Sequence, residues 1–193
     1  MTADTSSSTT HARIHWLLLF LRLPTCGIDV EFPTESACEN RLIQVRWPNG
    51  PICPTCSEKD IGHLTARNLY HCRFCQKQFS LGSGTLFHRR RVGLRTYFSL
   101  AEGLIERRAT GFSRIPSTGH GIKNHFNLAY QTAVNLKKNV LNDLTKDGGG
   151  LIGHSICVRP FTKPQDVELE GQSYELWLQH TLRRRLSEPD NIE

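Results

Sequence analysis

Two Cys-x-x-Cys motifs constrain this chain more than any other feature. Cys53 and Cys56 form the first motif, Cys72 and Cys75 form the second, and fifteen residues separate the two. Two thiolates in one tight turn can grip a metal ion, and a second such turn, brought in by a hairpin, completes a tetrahedron. The spacing therefore predicts one structural Zn²⁺. Four sulfurs fill every coordination position, so no position is left for an activated water.

The remaining cysteines and histidines do not change this assignment. The chain has seven cysteines, and Cys26, Cys38 and Cys157 are scattered singly. An odd number with two tight pairs is typical of metal binding in a reducing cytoplasm, not of a secreted disulfide framework. A thioredoxin-type redox pair would require a βαβ unit, which the pattern lacks. His63 and His71 lie near the motifs but are not needed as ligands.

The apolar segment 14–23 is the only stretch that suggests a membrane or targeting role. It is shorter than the roughly 20 residues that a membrane helix needs, and it contains His15 and Arg22. The Ser/Thr-rich start lacks the basic region of a signal peptide. We therefore expect a short packed or interfacial helix, no membrane partner and a cytoplasmic location.

Charge is unevenly distributed along the chain. The formal net charge is +6, residues 41–95 contain ten Lys/Arg against two Asp/Glu, and residues 165–193 contain three Arg against seven Asp/Glu. The basic charge thus surrounds the cysteines, and the C-terminal tail is acidic. A basic surface of this kind favours a polyanion partner, and we expect double-stranded DNA and no small-molecule substrate.

Hydrophobic periodicity predicts a small α+β fold: a treble-strand zinc ribbon flanked by helices and followed by a helix-turn-helix-like segment. The expected organisation is a disordered start over 1–12, N-terminal helices over 13–48, the ribbon over 49–88, a helical region over 89–145, and a linker with a weakly structured acidic tail over 146–193. Within the tail we expect a strand over 151–158 and a weak helix over 173–186. Thr34 is the expected N-cap of a helix that ends before Pro48.

The 117–144 segment has the spacing of two helices joined by a turn at Asn127. Its second helix, from about Tyr130 to Leu144, carries a polar face whose amides can pair with adenine edges. Such helix pairs are also common as plain packing units. Basic residues around the ribbon and the run 89–91 are expected to contact phosphates. The candidate DNA-binding residues are Arg67, Arg73, Lys77, Arg89, Arg90, Arg91, Lys123, Gln131, Asn135 and Lys138.

The order of several motifs resembles a known family. The segments 32–35, 46–51, 78–80, 84–87 and 94–98, together with the two cysteine motifs, resemble the zinc-ribbon region that begins insertion-sequence transposases of the IS1595 group. The likeness covers roughly 32–110, and a fainter one continues over 122–144. Residues 130–133 correspond to the start of the second helix of a helix-turn-helix in that family.

The same resemblance implies what the chain lacks. In that family a long catalytic domain of ribonuclease-H type follows, with acidic residues that hold metal ions. Only 49 residues follow Leu144, so we expect no catalytic residues and no nuclease or strand-transfer activity. Asp166, Glu168 and Glu170 are expected to solvate a loop, because a two-metal site needs carboxylates on a rigid sheet.

Three functions remain open from the sequence. The first is a zinc-ribbon DNA-binding protein without a catalytic domain of its own, which binds transposon ends or a regulatory site. The second is an inactive transposase fragment that acts with a catalytic transposase or with a second copy of itself. The third is a zinc ribbon used for protein contact in the transcription machinery. The basic ribbon favours the first two, and the acidic tail with Tyr174 and Trp177 leaves the third open.

Overall fold

The computed structural model describes residues 4–161 and 171–187. Within these ranges the chain forms eight α-helices and one three-stranded antiparallel sheet, which confirms the small α+β class. The helices are α1 (Asp4–Arg22), α2 (Ile28–Glu31), α3 (Glu35–Arg46), α4 (Leu94–Thr110), α5 (Gly119–His125), α6 (Tyr130–Leu144), α7 (Gly150–Ile156) and α8 (Gly171–Ser187). The strands are β1 (Ile61–Leu64), β2 (Leu69–Cys72) and β3 (Gln78–Phe79), and short 3₁₀ turns occupy Thr65–Arg67 and Asp147–Gly149.

The main hydrophobic core forms around α1 and α4. From α1 it contains Leu17 and Leu19, and from α4 it contains Phe98 and Ile105, all of them buried. The apolar segment 14–23 is therefore a packed helix inside the core, as predicted. No helix in the described ranges is both long enough and apolar enough to cross a lipid bilayer.

Helix α3 begins and ends where the sequence predicts. Thr34 Oγ1 accepts the backbone N–H of Ala37 at 3.1 Å, which satisfies one of the free donors at the helix start. Trp47 caps the other end just before Pro48. Cys38 and Leu42 lie on the buried face, so Cys38 is a small core residue. The helix thereby carries Trp47 from the main core to the edge of the ribbon.

The ribbon is a three-stranded sheet in the order β1-β2-β3. Ile61 pairs with Cys72 and Leu64 pairs with Leu69, so the first two strands form a hairpin around the turn at Thr65–Arg67. The third strand pairs antiparallel with β2, with Tyr70 opposite Phe79. This register places the second cysteine motif in the turn between β2 and β3.

Helices α5 and α6 are joined by a short turn, with the bounds that the sequence predicts. Asn127 has a φ of 51°, a left-handed conformation that Asn tolerates better than most residues. Ile122 of α5 packs in the same core as Ala133 and Leu136 of α6. The apolar face of α6 is therefore buried, and the predicted polar face is exposed.

The segment after α6 differs from the predicted linker and strand. Residues 150–156 form helix α7, so the predicted strand over 151–158 is wrong. Gly148, Gly149 and Gly150 all have positive φ and reverse the chain tightly. Asp143 is buried, and its Oδ2 accepts the backbone N–H of Ile152 at 2.9 Å. This bond from α6 caps the new helix.

The C-terminal region is not only an acidic tail. Helix α8 covers the predicted helix over 173–186 and packs against α1, with Tyr174, Leu178 and Leu182 buried. Arg185 donates to the carbonyl oxygens of Phe20 and Leu23 at 2.6 and 2.8 Å, which satisfies the end of α1. The weak tail predicted over 146–193 is therefore wrong for α7 and α8. The carboxylates at 166, 168 and 170 lie outside the described residues.

The N-terminal prediction is also corrected in part. Disorder was expected over 1–12, whereas α1 already begins at Asp4. Helix formation is costly to nucleate but cheap to extend. The buried part of α1, which starts at Ile14, provides the nucleus from which the polar residues continue the helix.

Glu102 on α4 gives the fold a pH dependence. Burial raises the pKa of its carboxyl to about 7, and the nearby charges of Glu106 and Asp29 contribute to the increase. The hydrogen bond from the backbone N–H of Ile28 lowers the pKa but does not offset these effects. The folded state therefore holds a proton that the unfolded chain releases, and the free energy of unfolding falls as pH rises from about 4.5 to about 7.

We expect Glu102→Gln to flatten this dependence, because glutamine keeps the acceptor for Ile28 N–H (2.9 Å) without the charge. The measurement is urea unfolding of both proteins with zinc present, from about pH 5 to about pH 8. Glu31→Gln, at an exposed position on the neighbouring α2, controls for the loss of one negative charge. A Glu102→Gln protein with the pH dependence of the wild type would contradict the assignment.

Candidate metal centre and nucleic-acid interface

The two cysteine motifs fold into matching turns. In the first, the N–H of Cys53 donates to the carbonyl of Glu58 at 2.9 Å; in the second, the N–H of Cys72 donates to the carbonyl of Lys77 at 2.9 Å. The residue that follows each motif, Ser57 or Gln76, has a left-handed φ. The same local backbone thus presents two thiols from each turn.

The turns bring the four predicted ligands, Cys53, Cys56, Cys72 and Cys75, into one cluster. All four sulfur atoms lie within 4.8 Å of one another. Cys53 and Cys75 are 3.6 Å apart and Cys56 and Cys72 are 3.5 Å apart, measured between Sγ atoms. Sulfurs bound at about 2.3 Å to one tetrahedral ion would be separated by similar distances. The donor set and its spacing therefore fit a single metal ion of the zinc type.

The environment of Cys53 supports a thiolate. Burial raises its pKa, but backbone hydrogen bonds from Cys56 and Thr55 lower it, and the net effect lowers the pKa to about 6. The N–H of Thr55 lies 3.4 Å from Cys53 Sγ. The pKa values of Cys56 and Cys75 are raised instead: backbone hydrogen bonds from Glu58 and Lys77 lower them, but burial and hydrogen bonds to neighbouring sulfur atoms outweigh this effect. The four thiols thus share their protons unevenly, and metal binding has to displace the protons that remain, because the thiolate is the form that binds metal.

A small aromatic cluster connects the metal centre to the helices. Trp47, Tyr70 and Phe79 pack together, separate from the main core, with ring centroids 4.8 to 6.1 Å apart. Arg46 lies over the Trp47 ring at 4.7 Å and donates to the carbonyl of Leu81. The apolar core of the ribbon is slight and consists of this cluster with the cysteines beside it.

The basic run 89–91 separates into two kinds of arginine. Arg89 and Arg91 are exposed. Arg90 is half-buried and pairs with Glu35 at 2.8 Å and with Glu39 at 3.1 Å. The three arginines are therefore not equivalent as candidates for phosphate contact: Arg90 ties the run to α3, and Arg89 and Arg91 face solvent.

Glu35 has a role that its sequence position does not indicate. Besides pairing with Arg90, its carboxylate accepts the backbone N–H of Leu94 at 2.7 Å and of Arg95 at 3.2 Å. It therefore caps α4, whose N-cap, Gly93, offers no side chain. The sequence marks Glu35 only as the start of α3, because its partners lie 55 to 60 residues away.

A groove of about 470 Å³ lies between the basic loop, residues 88–92, and the N-terminal half of α6. It brings together candidates that are distant in sequence. One wall is the basic loop, and the other comes from the first turns of α6. The described residues that line it are Leu86, His88, Arg89, Arg90, Arg91, Val92, Tyr97, Ala129, Gln131, Thr132, Asn135, Leu136 and Asn139.

The other candidate cations do not line this groove. All five are exposed, and Arg73 also pairs with Asp60 at 3.2 Å on the surface of the ribbon. Such an exposed pair contributes little to stability. These residues are Arg67, Arg73 and Lys77 on the ribbon, Lys123 on α5 and Lys138 on α6.

Comparison with known proteins places the metal centre in a family. Residues 33–78 match the transposase zinc-ribbon domain of the IS1595 type. The match includes α3, both cysteine motifs and the start of β3. No solved structure matches the chain.

One curated relative is an uncharacterized protein in transposable element ISH50 of Halobacterium salinarum. It is 34% identical over 70 residues, a region that covers 35% of this chain and 24% of the relative. The match thus spans about a quarter of the relative's length. Together with the four-cysteine cluster, these findings identify residues 33–78, the part of the chain that holds the metal centre, as similar to the transposase zinc-ribbon domain of the IS1595 type.

Proposed function

We propose that this protein binds double-stranded DNA through the groove between the basic loop and α6, and that one Zn²⁺ ion holds the ribbon beside it. The observation that carries the proposal is the composition of the groove. Arg89 and Arg91 on one wall provide positive charge for phosphates, and Gln131 and Asn135 on the other provide amides for base edges. Phosphate contact and base contact thus belong to one surface.

The start of α6 adds to the attraction for phosphate. Its N-cap is Ala129, which makes no side-chain cap, and no side chain within 4–161 and 171–187 accepts the first N–H groups of this 15-residue helix. The positive end of the helix dipole lies at the same place, and anions bind favourably there. Helix α5 and the turn at Asn127 would then position α6 as the reading helix of a helix-turn-helix.

The metal has a structural role in this proposal. Zinc bound by Cys53, Cys56, Cys72 and Cys75 has no open coordination position. The zinc form of the ribbon holds Trp47 and the end of α3, and α3 holds the basic loop through the pairs of Glu35 and Glu39 with Arg90. The ion therefore supports the geometry of the groove without reacting.

The protein would contribute DNA binding rather than strand transfer. The family match is confined to the ribbon domain. The DNA would be a transposon end or a regulatory site, and cutting would require a catalytic transposase as partner.

The test is a salt titration of duplex DNA binding by the zinc-loaded protein. We expect the double change Arg89→Ala and Arg91→Ala to weaken binding to all sequences and to reduce the slope of log K against log salt by up to about two units, since each phosphate contact contributes roughly 0.9. Fluorescence anisotropy at several salt concentrations measures both quantities.

The matched control removes the same charge elsewhere. Arg183 and Arg184 are exposed on α8, so Arg183→Ala with Arg184→Ala lowers the net charge by two without touching the groove. This control should keep the wild-type slope. Equal losses in the two double mutants would show that only net charge matters and would refute the groove as the DNA site.

A protein-contact function is the second candidate, and one observation favours it. Phe74, in the second cysteine motif, is 74% exposed, and Ile52, next to the first motif, is 38% exposed. Exposed apolar side chains at a ribbon tip are suited to a protein partner. A zinc-loaded protein with no salt-dependent affinity for duplex DNA would favour this function over the first.

A further inference from the structure

We infer that Gln131 and Asn135 act as one coupled amide unit that selects adenine in the DNA major groove. The inference rests on the proposed function and adds what that surface reads. The carrying observation is a hydrogen bond between the two side chains: Gln131 Nε2 donates to Asn135 Oδ1 at 3.1 Å. Both residues are exposed and both line the groove.

The bond fixes the chemical character of the pair. It uses one of the two N–H groups of Gln131 and one of the two lone pairs on Asn135 Oδ1. The atoms that it leaves wholly unengaged are Gln131 Oε1, an acceptor, and Asn135 Nδ2, a donor. Among the residues that the structure describes, these two atoms have no other partner. If both amides were turned over, the bond would run from Asn135 to Gln131, and one amide nitrogen and one amide oxygen would again take no part in it. In either arrangement the pair therefore offers one unengaged amide nitrogen as a donor and one unengaged amide oxygen as an acceptor.

Adenine is the single base that matches this combination. Its major-groove edge presents an acceptor at N7 beside a donor at N6, whereas guanine presents two acceptors, N7 and O6. Guanine would place its O6, an acceptor, against the amide oxygen of the pair, which is also an acceptor. Neither oxygen would then have a donor. Cytosine and thymine offer only one polar group each on this edge.

The position on α6 suits this role. Gln131 is the second residue of the helix and Asn135 follows one turn later, and recognition helices contact base edges with their N-terminal residues. Residues four apart on a helix are neighbours on one face, so the pair is held together by the helix itself. Two amides that already hold each other in place lose less conformational freedom on binding than two amides that move independently.

Base analogues test the inference directly. A binding site is first selected from random duplex DNA with the zinc-loaded protein. Each adenine of that site is then replaced in turn by 7-deazaadenine, which lacks the N7 acceptor, or by purine, which lacks the N6 donor. At one position the wild type should lose about 5- to 150-fold in affinity with either analogue, the range for a bidentate base contact.

The test variants are Gln131→Ala, Asn135→Ala and the double change. Asn142→Ala is the control, because Asn142 is exposed on the same helix and does not line the groove. Each single change should abolish most of the discrimination against both analogues, and the double change should add little. Asn142→Ala should discriminate like the wild type.

The outcomes separate the two proposals. Additive effects of the two changes, or discrimination that survives in the double mutant, overturn the coupled unit while salt-dependent binding that requires Arg89 and Arg91 persists. A consensus with guanine or cytosine at the position that the pair contacts overturns it as well. A complete lack of affinity for duplex DNA overturns this inference together with the proposed function.

Discussion

Cys72→Ser should remove the metal and unfold the ribbon. Cys72 is fully buried and is one of the four cysteines that could hold the ion. The apparent binding free energy of structural zinc is about 10–16 kcal/mol in zinc-finger peptides, which equals or exceeds the roughly 5–15 kcal/mol by which a whole domain is stable. The aromatic cluster around Trp47 is too small to replace that contribution.

Three measurements check this result. Elemental analysis should give one zinc per chain in the wild type and substantially less in the variant, and limited proteolysis should cut the variant within 52–80. Loss of the ribbon also releases Trp47, so its fluorescence should change. Cys26→Ser is the matched control, because Cys26 is exposed and lies outside the metal cluster. A Cys72→Ser protein with full zinc content and full protection would refute the four-cysteine site.

Leu178→Ala should destabilise the helical core by about 2–5 kcal/mol, the usual range for a buried leucine. Leu178 is fully buried in α8, against α1. Its loss would leave a cavity beside the helix at the centre of the core. The expected effect is large because α8 is part of the fold, whereas a weakly structured tail would tolerate the change.

The control for this prediction lies on the same helix. Leu176 is 59% exposed, so Leu176→Ala removes the same atoms from solvent-facing surface and should change the free energy of unfolding by about 0.5 kcal/mol or less. Urea unfolding followed by circular dichroism measures both variants. Equal, small effects of the two substitutions would mean that α8 does not pack on α1 as described.

The sequence by itself determined the elements that depend on near neighbours. The four-cysteine cluster follows from the spacing of two short motifs. The start of α3 follows from the cap at Thr34, and the turn at Asn127 follows from the left-handed conformation that Asn tolerates. In each case the deciding contacts lie within a few residues, so a local pattern contains them.

The strand expected over 151–158 shows where local patterns fail. Its residues are β-branched and apolar enough for either structure, and the choice depends on Asp143, which caps α7 across a tight glycine turn. The role of α8 was missed for a related reason. Most residues of α8 are polar, so its sequence does not indicate a core helix. Its apolar residues become part of the core only because α1 packs against them.

Only the tertiary structure decided which of the predicted surface residues belong together. Arg90 was predicted with Arg89 and Arg91, but folding places the carboxylates of Glu35 and Glu39 beside it. The same packing brings the basic loop to α6 and forms the groove. Contacts between residues 40 or more positions apart depend on the path of the whole chain, because the helices settle where their combined apolar faces are buried.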